Sequence, residues 1–229
     1  MAIKVLSAGA VKGGVAQIAA AYQQHTGRVV EVEFTQVPKM RRRITEGESA
    51  DVLVATGAAM DEFSAAGKIV LVTLSKLGRS RVGVVVHKDA TTPDVSDTEA
   101  FKRALLASTA VVHNDASSGV YIATLLEKLG LKAQLGERII VVNSGSAIMT
   151  KVAELGPGAI GMGQISEIMV MINKGCAVKL VAPLPDAIQN VSTYYAAAMA
   201  SSTSPDAVAL ALELTSDAAK KIFAATGID

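Results

Sequence analysis

Segments typical of strands and helices alternate at short intervals along the first 75 residues, and this alternation limits the possible folds more than any other feature. Ile3 to Ala8 has the apolar character of a buried strand, Val11 to Thr26 is typical of a helix, and Val29 to Phe34 is typical of a second strand. This order predicts a βαβ unit with parallel strands. The alternation continues with a helix, a strand and a helix, at Lys39 to Gly47, Asp51 to Thr56 and Ala58 to Ala66.

The pattern changes after Gly78, where a continuous β-branched run from Ser80 to His87 is followed by the polar segment Lys88 to Asp97. A second α/β series then follows: helices are predicted at 98–106, 117–129 and 146–154, and strands at 110–113, 138–142 and 159–162. Strands at 178–184 and 192–198 and two helices broken near Ser216 complete the chain. We therefore expect two lobes, one from residues 1–80 with 192–229 and one from 81–191, with hinges near 78–88 and 185–195.

The composition excludes several classes of partner. The formal net charge is +1 and aromatic residues make up 3% of the chain with no Trp, so neither a nucleic acid nor an anionic membrane surface is an expected partner. One cysteine and three scattered histidines predict no disulfide, no metal and no cofactor. The longest apolar runs are too short to cross a bilayer, so we expect no membrane insertion, and we expect a monomer.

In open α/β sheets, ligands bind beyond the carboxyl ends of the strands, where helices begin. In the first such turn, Ala10 and neighbouring glycines allow backbone amides to approach an anion, and Lys12 adds a positive charge. The second turn has four cations after Pro38. Because consecutive helical residues point in different directions, we expect only Lys39 and Arg42 to face a ligand.

Three later turns carry hydroxyl and amide groups suited to binding a carboxylate. Ser117 and Ser118 begin one helix, Ser144 and Gly145 begin another, and Gln164 follows a short strand. His113 precedes the first of these turns and is more often structural than catalytic in such a position. The glycine spacing matches neither a phosphate-binding loop nor a dinucleotide fingerprint, which disfavours nucleotides.

Together these segments resemble the periplasmic molybdate-binding proteins and the wider type II periplasmic solute-binding proteins, along nearly the whole chain. The resemblance rests on the opening Val5-Leu6-Ser7-Ala8-Gly9-Ala10, on Ile44 to Val52, on Ser117 to Tyr121, on Gly158 to Gly161 and on the terminal Ala218 to Gly227. It implies an α/β fold of two Rossmann-like lobes joined by crossing strands around a central cleft. It also implies an ABC-transporter membrane component as partner. We expect a periplasmic location if a signal peptide has been removed, and a cytoplasmic one if the chain is the full gene product.

The resemblance also indicates which ligand to expect. Ala10 stands where molybdate binders have a serine, Val37 and Pro38 replace a second serine-rich turn, and Met162 lies about where they have a tyrosine. These differences disfavour molybdate.

Lys12, Lys39, Arg42 and Arg81 suit a di- or tricarboxylate instead. The wider relatives include aconitate isomerase, which moves a double bond in a tricarboxylate. An isomerase is therefore the alternative to a binding protein, with Lys12, His113 and Glu167 as conceivable proton-transfer groups.

Overall fold

The computed structural model describes residues 2–228, and these residues form strands and helices in regular alternation. The strands within this range are β1 Ile3–Ala8, β2 Val30–Thr35, β3 Val52–Thr56, β4 Ser75–His87, β5 Ala110–Asn114, β6 Ile139–Val142, β7 Ala159–Gln164, β8 Val178–Pro183 and β9 Val191–Ala198. The α-helices are α1 Lys12–Thr26, α2 Val37–Thr45, α3 Gly57–Ala65, α4 Thr98–Ala107, α5 Ser117–Lys128, α6 Lys132–Leu135, α7 Gly145–Leu155, α8 Ile165–Asn173, α9 Ala207–Glu213 and α10 Asp217–Ala225.

The described residues divide into two compact units. Unit 1 comprises residues 2–80 and 192–228, and unit 2 comprises Arg81–Val191. The chain leaves unit 1 within β4 and returns at the start of β9. Each unit has its own core, as expected for a chain that passes twice between two folding units.

Unit 1 is built on a sheet with the strand order β2-β1-β3-β9. The first three strands are parallel, with Ile3 opposite Val30 and Val5 opposite Val52, whereas β9 runs antiparallel to β3. Residues 52–55 of β3 are all buried because helices cover both faces of such a sheet. The edge strand β2 instead alternates half-buried valines with exposed glutamates, as its exposed position favours.

Unit 2 is built on a sheet in which β5 lies between β6 and β7 and is parallel to both. The strand β4 pairs antiparallel with β7 on one side and with β8 on the other. Alternate residues of these strands enter two different cores. Val84 and Val111 pack with Phe101 and Ile122, whereas Val85 and Val112 pack with Ile148 and Met149. The sheet is therefore covered on both faces, which explains the continuous apolar runs in its sequence.

The main difference from the sequence-based prediction concerns β4, which begins at Ser75 rather than Ser80. Lys76, Gly78 and Arg79 interrupt the apolar run, so the first five residues of the strand carry no strand pattern of their own. The break predicted between the last two helices is confirmed, and the side chain of Ser216 caps α10 by accepting a hydrogen bond from the amide of Ala219 at 3.1 Å.

Candidate anion-binding site

The carboxyl ends of β1, β2 and β3 lie along one edge of the unit 1 sheet because these three strands are parallel. The helices α2 and α3 follow β2 and β3 closely, and α1 follows β1 after a 3-10 turn at Gly9–Val11. None of the residues preceding these helices, Val11, Gln36 and Thr56, makes a side-chain capping hydrogen bond. No side chain caps these helices, although the Lys12 amide at the start of α1 donates to the backbone oxygen of Gly9 in a short 3-10 turn. The positive ends of three helix dipoles lie at this edge.

Lys12 is the first residue of α1 and is half-buried. A cation at this position is disfavoured by the helix dipole, by about 0.3–1 kcal/mol at an exposed site. Among residues 2–228 no carboxylate pairs with its ammonium group. The combined charge of Lys12 and the helix terminus is therefore not neutralised by the chain, which is the arrangement that attracts an external anion.

The cations of α2 fall into two pairs with different surroundings. Arg41 donates two hydrogen bonds to the carboxylate of Glu62, at 2.7 and 2.9 Å. Arg43 pairs with both Glu33 and Glu48, and its hydrogen bonds lower the pKa of each carboxyl below the ordinary glutamate range. Lys39 and Arg42 are exposed, and within the described chain neither forms an ion pair. The structure thus separates Lys39 and Arg42, the two predicted ligand cations, from the two neighbours that hold α2 in place.

Two hydroxyl groups at the unit 1 edge were not identified from the sequence. Thr35 is the last residue of β2 and Thr56 is the last residue of β3, and both are half-buried. Across residues 2–228 neither side chain makes a hydrogen bond to another group. The signal that could have found them is a polar residue that ends an apolar strand immediately before a helix.

Two small residues of the first turn, Gly14 and Ala10, have structural explanations. A Cβ atom on Gly14 would lie 2.2 Å from Cδ1 of Phe223, so this glycine allows α1 and α10 to pack closely. Ala10 packs against the core of unit 1. The role predicted for Ala10 in ligand binding can therefore involve only its backbone.

The corresponding edge of unit 2 lies at the carboxyl ends of β5, β6 and β7, and it collects buried polar side chains. At most 5% of the surface of each of these residues is exposed: His113, Asn114, Ser118, Gln164 and Ser166. Buried polar groups are normally hydrogen-bonded, and His113 bonds to the backbone oxygen of Asn114, while Gln164 and Ser166 also interact within the chain. Ser117 is exposed at the start of α5.

The turn between β5 and α5 is tightly constructed. The side-chain oxygen of Asn114 accepts a hydrogen bond from the amide of Ala116 at 3.2 Å. A Cβ atom on Gly119 would lie 1.7 Å from the backbone oxygen of Asn114. The backbone of α5 therefore approaches the end of β5 so closely that only glycine fits at this position.

The turn between β6 and α7 already holds a carboxylate of the chain itself. The Ser144 hydroxyl caps α7 by accepting a hydrogen bond from the amide of Ala147 at 3.2 Å. A Cβ atom on Gly145 would lie 1.9 Å from Oε2 of Glu167, so the carboxylate of this residue rests against the start of α7. A carboxylate is stabilised at a helix N-terminus. Of the two predicted ligand residues in this turn, Gly145 contacts Glu167, and Ser144 bonds to the amide of Ala147.

Arg81, the remaining predicted cation, and Tyr121 have less distinctive surroundings. Arg81 is half-buried in β4 and interacts with another part of the chain. Tyr121, on α5, donates a hydrogen bond from its hydroxyl to the backbone oxygen of Ile188 at 2.9 Å, and burial raises its pKa. In the part of the chain that the structure describes, no three His, Cys, Asp or Glu side chains come together in a way that could hold a metal ion. Nor does any helix in that part have the length and apolar character needed to cross a membrane.

Comparison with known proteins identifies the family. The sequence model of the family described as bacterial extracellular solute-binding protein matches residues 3–229, so the chain belongs to that family. Aconitate isomerase from Pseudomonas sp is 28% identical over 232 residues, which cover 96% of this chain and 85% of that protein. The predicted resemblance to solute-binding proteins, with aconitate isomerase among the wider relatives, is thus confirmed.

Solved structures confirm the predicted fold class. The periplasmic molybdate-binding protein of Azotobacter vinelandii superimposes with a TM-score of 0.79 at 18% identity, covering 99% of this chain and 98% of that one. PEB3 with L-phospholactate bound superimposes with a TM-score of 0.70 at 18% identity, covering 98% of both chains. The chain therefore has the two-lobed α/β fold of the periplasmic binding proteins.

Proposed function

We propose that the protein is a solute-binding protein that captures a small organic anion, a di- or tricarboxylate, at the carboxyl ends of its parallel strands. The observation that carries this proposal is Lys12, a half-buried cation at a helix N-terminus with no carboxylate partner among the described residues. Lys39, near the start of α2, adds charge at the same edge, and Thr35 and Thr56 add hydroxyl donors. Such a site offers hydrogen bonds and charge to more than one carboxylate group.

Organic anions are favoured over a compact oxyanion because the cations at the unit 1 edge are long side chains on two different helices. A flexible polycarboxylate can meet separated cations, whereas a small tetrahedral ion is held mainly by converging short donors. Among the structural neighbours, PEB3 binds L-phospholactate, which is an organic anion. We further propose that the protein works as a monomer in the periplasm and passes its ligand to the membrane component of an ABC transporter.

Isothermal titration calorimetry against a panel of anions tests this function. The panel contains citrate, tricarballylate, cis-aconitate, trans-aconitate, succinate and molybdate, each added to the complete protein at low and at physiological salt. We expect binding of at least one polycarboxylate that is tighter than binding of molybdate and that weakens as salt rises. Tighter binding of molybdate, or no binding of any polycarboxylate, would contradict the proposal.

An isomerase of the aconitate isomerase type is the second candidate, and the 28% identity to that enzyme over 96% of this chain favours it. Such a reaction removes a proton from the carbon next to a carboxylate, shifts the double bond, and returns a proton at the other end of the allylic system. Lys12, His113 and Glu167 are the candidates for these transfers.

Proton NMR in D2O distinguishes catalysis from binding. An isomerase predicts interconversion of cis- and trans-aconitate with deuterium incorporated from the solvent, at a rate proportional to protein concentration. If the protein binds one of the isomers but leaves both unchanged, it does not catalyse this reaction with aconitate.

A further inference from the structure

His113 lies at the end of β5 with only 4% of its surface exposed, and its ring geometry determines which nitrogen carries the proton. The Nδ1 atom lies 2.8 Å from the backbone oxygen of Asn114. A carbonyl oxygen can only accept a hydrogen bond, so Nδ1 must be the donor. In the neutral ring the proton therefore resides on Nδ1, and Nε2 carries the lone pair.

The backbone oxygen that fixes this tautomer is itself held in place. Gly119 packs so closely against the Asn114 carbonyl that even a methyl group on Gly119 would overlap it. On the other side, the Asn114 side chain closes the turn by its hydrogen bond with Ala116. The acceptor cannot move away from His113 without a rearrangement of the whole β5–α5 turn.

His87 provides a natural contrast within the same unit. Its Nδ1 accepts a hydrogen bond from the amide of Asp89 at 3.2 Å, so in the neutral ring its proton resides on Nε2. The two histidines of unit 2 are thus set in opposite tautomers by opposite backbone partners. The arrangement at His113 is therefore specific to its turn.

Within residues 2–228 the Nε2 atom of His113 has no hydrogen-bond partner, and the residue as a whole is nearly buried. His113 lies at the strand end at which ligands bind in sheets of this kind, and α5 begins four residues later at Ser117. A ligand can supply the hydrogen-bond donor that Nε2 lacks.

We propose that Nε2 of His113 accepts a hydrogen bond from a hydroxyl group of the ligand, which makes the ligand a hydroxycarboxylate. This inference rests on the proposed capture of an organic anion. A carboxylate oxygen cannot satisfy the lone pair of a neutral imidazole, because both groups are acceptors. An alcohol group can, so His113 selects polycarboxylates that carry a hydroxyl over those that lack one.

Citrate and tricarballylate form the matched ligand pair, since they differ by one hydroxyl group. In the wild-type protein we expect citrate to bind more tightly. His113→Asn keeps a donor near the Nδ1 position and removes the Nε2 acceptor, whereas His113→Gln places an amide oxygen near the position of Nε2. We expect H113N to weaken citrate binding by about 2- to 13-fold, the value of one ordinary hydrogen bond, and to change tricarballylate binding less than about two-fold. H113Q restores part of the citrate affinity.

Nitrogen-15 NMR of the histidine rings reads the interaction directly, at a pH where the spectrum shows neutral rings. H113N and H87N assign the signals, and circular dichroism confirms that both variants fold. We expect His113 as the Nδ1–H form and His87 as the Nε2–H form, and we expect citrate to move the Nε2 signal of His113 and not the signals of His87.

The outcomes separate this inference from the proposed function. If neither citrate nor tricarballylate nor another polycarboxylate binds, the proposed function fails. If both ligands bind equally well, if H113N leaves their ratio unchanged, or if the His113 ring is found as the Nε2–H form, the function stands and the inference about the hydroxyl group is overturned.

Discussion

The strand ends of unit 1 and of unit 2 have the same architecture but opposite chemistry. At the edge of unit 1, Lys12 is half-buried and Lys39 is exposed, and neither forms an ion pair within residues 2–228. At the edge of unit 2, the side chains of His113 and Asn114 are almost fully buried in a turn that only glycine completes. Exposed cations attract anions over distance, whereas buried and oriented polar groups distinguish between similar ligands. The edge of unit 1 therefore has the chemistry for attracting an anion, and the edge of unit 2 has the chemistry for distinguishing between similar ligands.

The largest expected effect concerns the rigidity of the unit 2 edge. Gly119→Ala places a methyl group on the fixed backbone oxygen of Asn114, and we expect it to lower the free energy of unfolding by about 3 kcal/mol, at the upper end of overpacking costs. The control is Gly145→Ala, whose methyl group meets the movable end of Glu167, with an expected cost of about 1 kcal/mol. Urea denaturation measures both values. A smaller loss for G119A than for G145A would show that the β5–α5 turn is not rigid.

The second prediction concerns a hydroxyl at the unit 1 edge. Thr56→Val keeps the shape of the side chain and removes its hydrogen bond to a ligand, and we expect polycarboxylate affinity to fall by about 2- to 10-fold. The same change at Thr150, on α7 of unit 2, removes a hydroxyl that already bonds to the backbone of its own helix at 3.3 Å, and it should not alter binding. Calorimetry with the ligand that binds best compares the two variants. Equal affinity for wild type and T56V removes Thr56 from the site.

A smaller effect separates the two kinds of cation on α2. We expect Arg42→Ala to weaken anion binding by about two- to five-fold, as for one exposed ion pair. Arg41→Ala removes the same charge from the same helix, but its guanidinium is engaged with Glu62, so affinity should change by less than about two-fold. The reverse ranking in a calorimetric comparison would show that Arg41 leaves Glu62 to meet the ligand.

The smallest expected effect is an acid sensitivity that originates in unit 1. Arg43 lowers the pKa of Glu33 and Glu48 from the ordinary value of 4.5, so in this region the unfolded chain binds more protons than the folded one. The stability from these groups is present above pH 4.5 and is lost as the pH falls through the lowered values. We expect Arg43→Gln to be less stable than wild type at neutral pH and the difference to shrink as the pH falls below the ordinary value of 4.5. Urea midpoints across this range, with Arg42→Gln as control, measure the trend.

The sequence was sufficient for the fold because both units consist of apolar strands that alternate with helices of ordinary length. It did not show that Ser75 begins β4, since membership of a strand depends on hydrogen-bond partners far along the chain. The role of Gly14 was equally inaccessible, because its neighbour Phe223 lies more than 200 residues later in the sequence.

Local charge could be predicted from the sequence, but pairing could not. The four cations after Pro38 were visible, and helical geometry indicated that they could not all face one ligand. The partners Glu62 and Glu33, which engage Arg41 and Arg43, come from other elements of unit 1. The tautomer of His113 depends on a hydrogen bond of 2.8 Å to one carbonyl, which no sequence pattern specifies.

The most direct test of the anion-binding account compares two lysines of unit 1. Lys12 lies at the carboxyl edge of the sheet, and Lys68 is also half-buried but lies beside β9, where its backbone oxygen accepts a hydrogen bond from the amide of Ala200 at 2.9 Å. The account predicts that Lys12→Gln weakens polycarboxylate binding by about ten- to a hundred-fold, as expected for a charged hydrogen bond, and that Lys68→Gln changes it by less than about two-fold. Equal losses in the two variants, measured by calorimetry at the same salt concentration, would show that the anion responds only to net charge and would contradict a site at the start of α1.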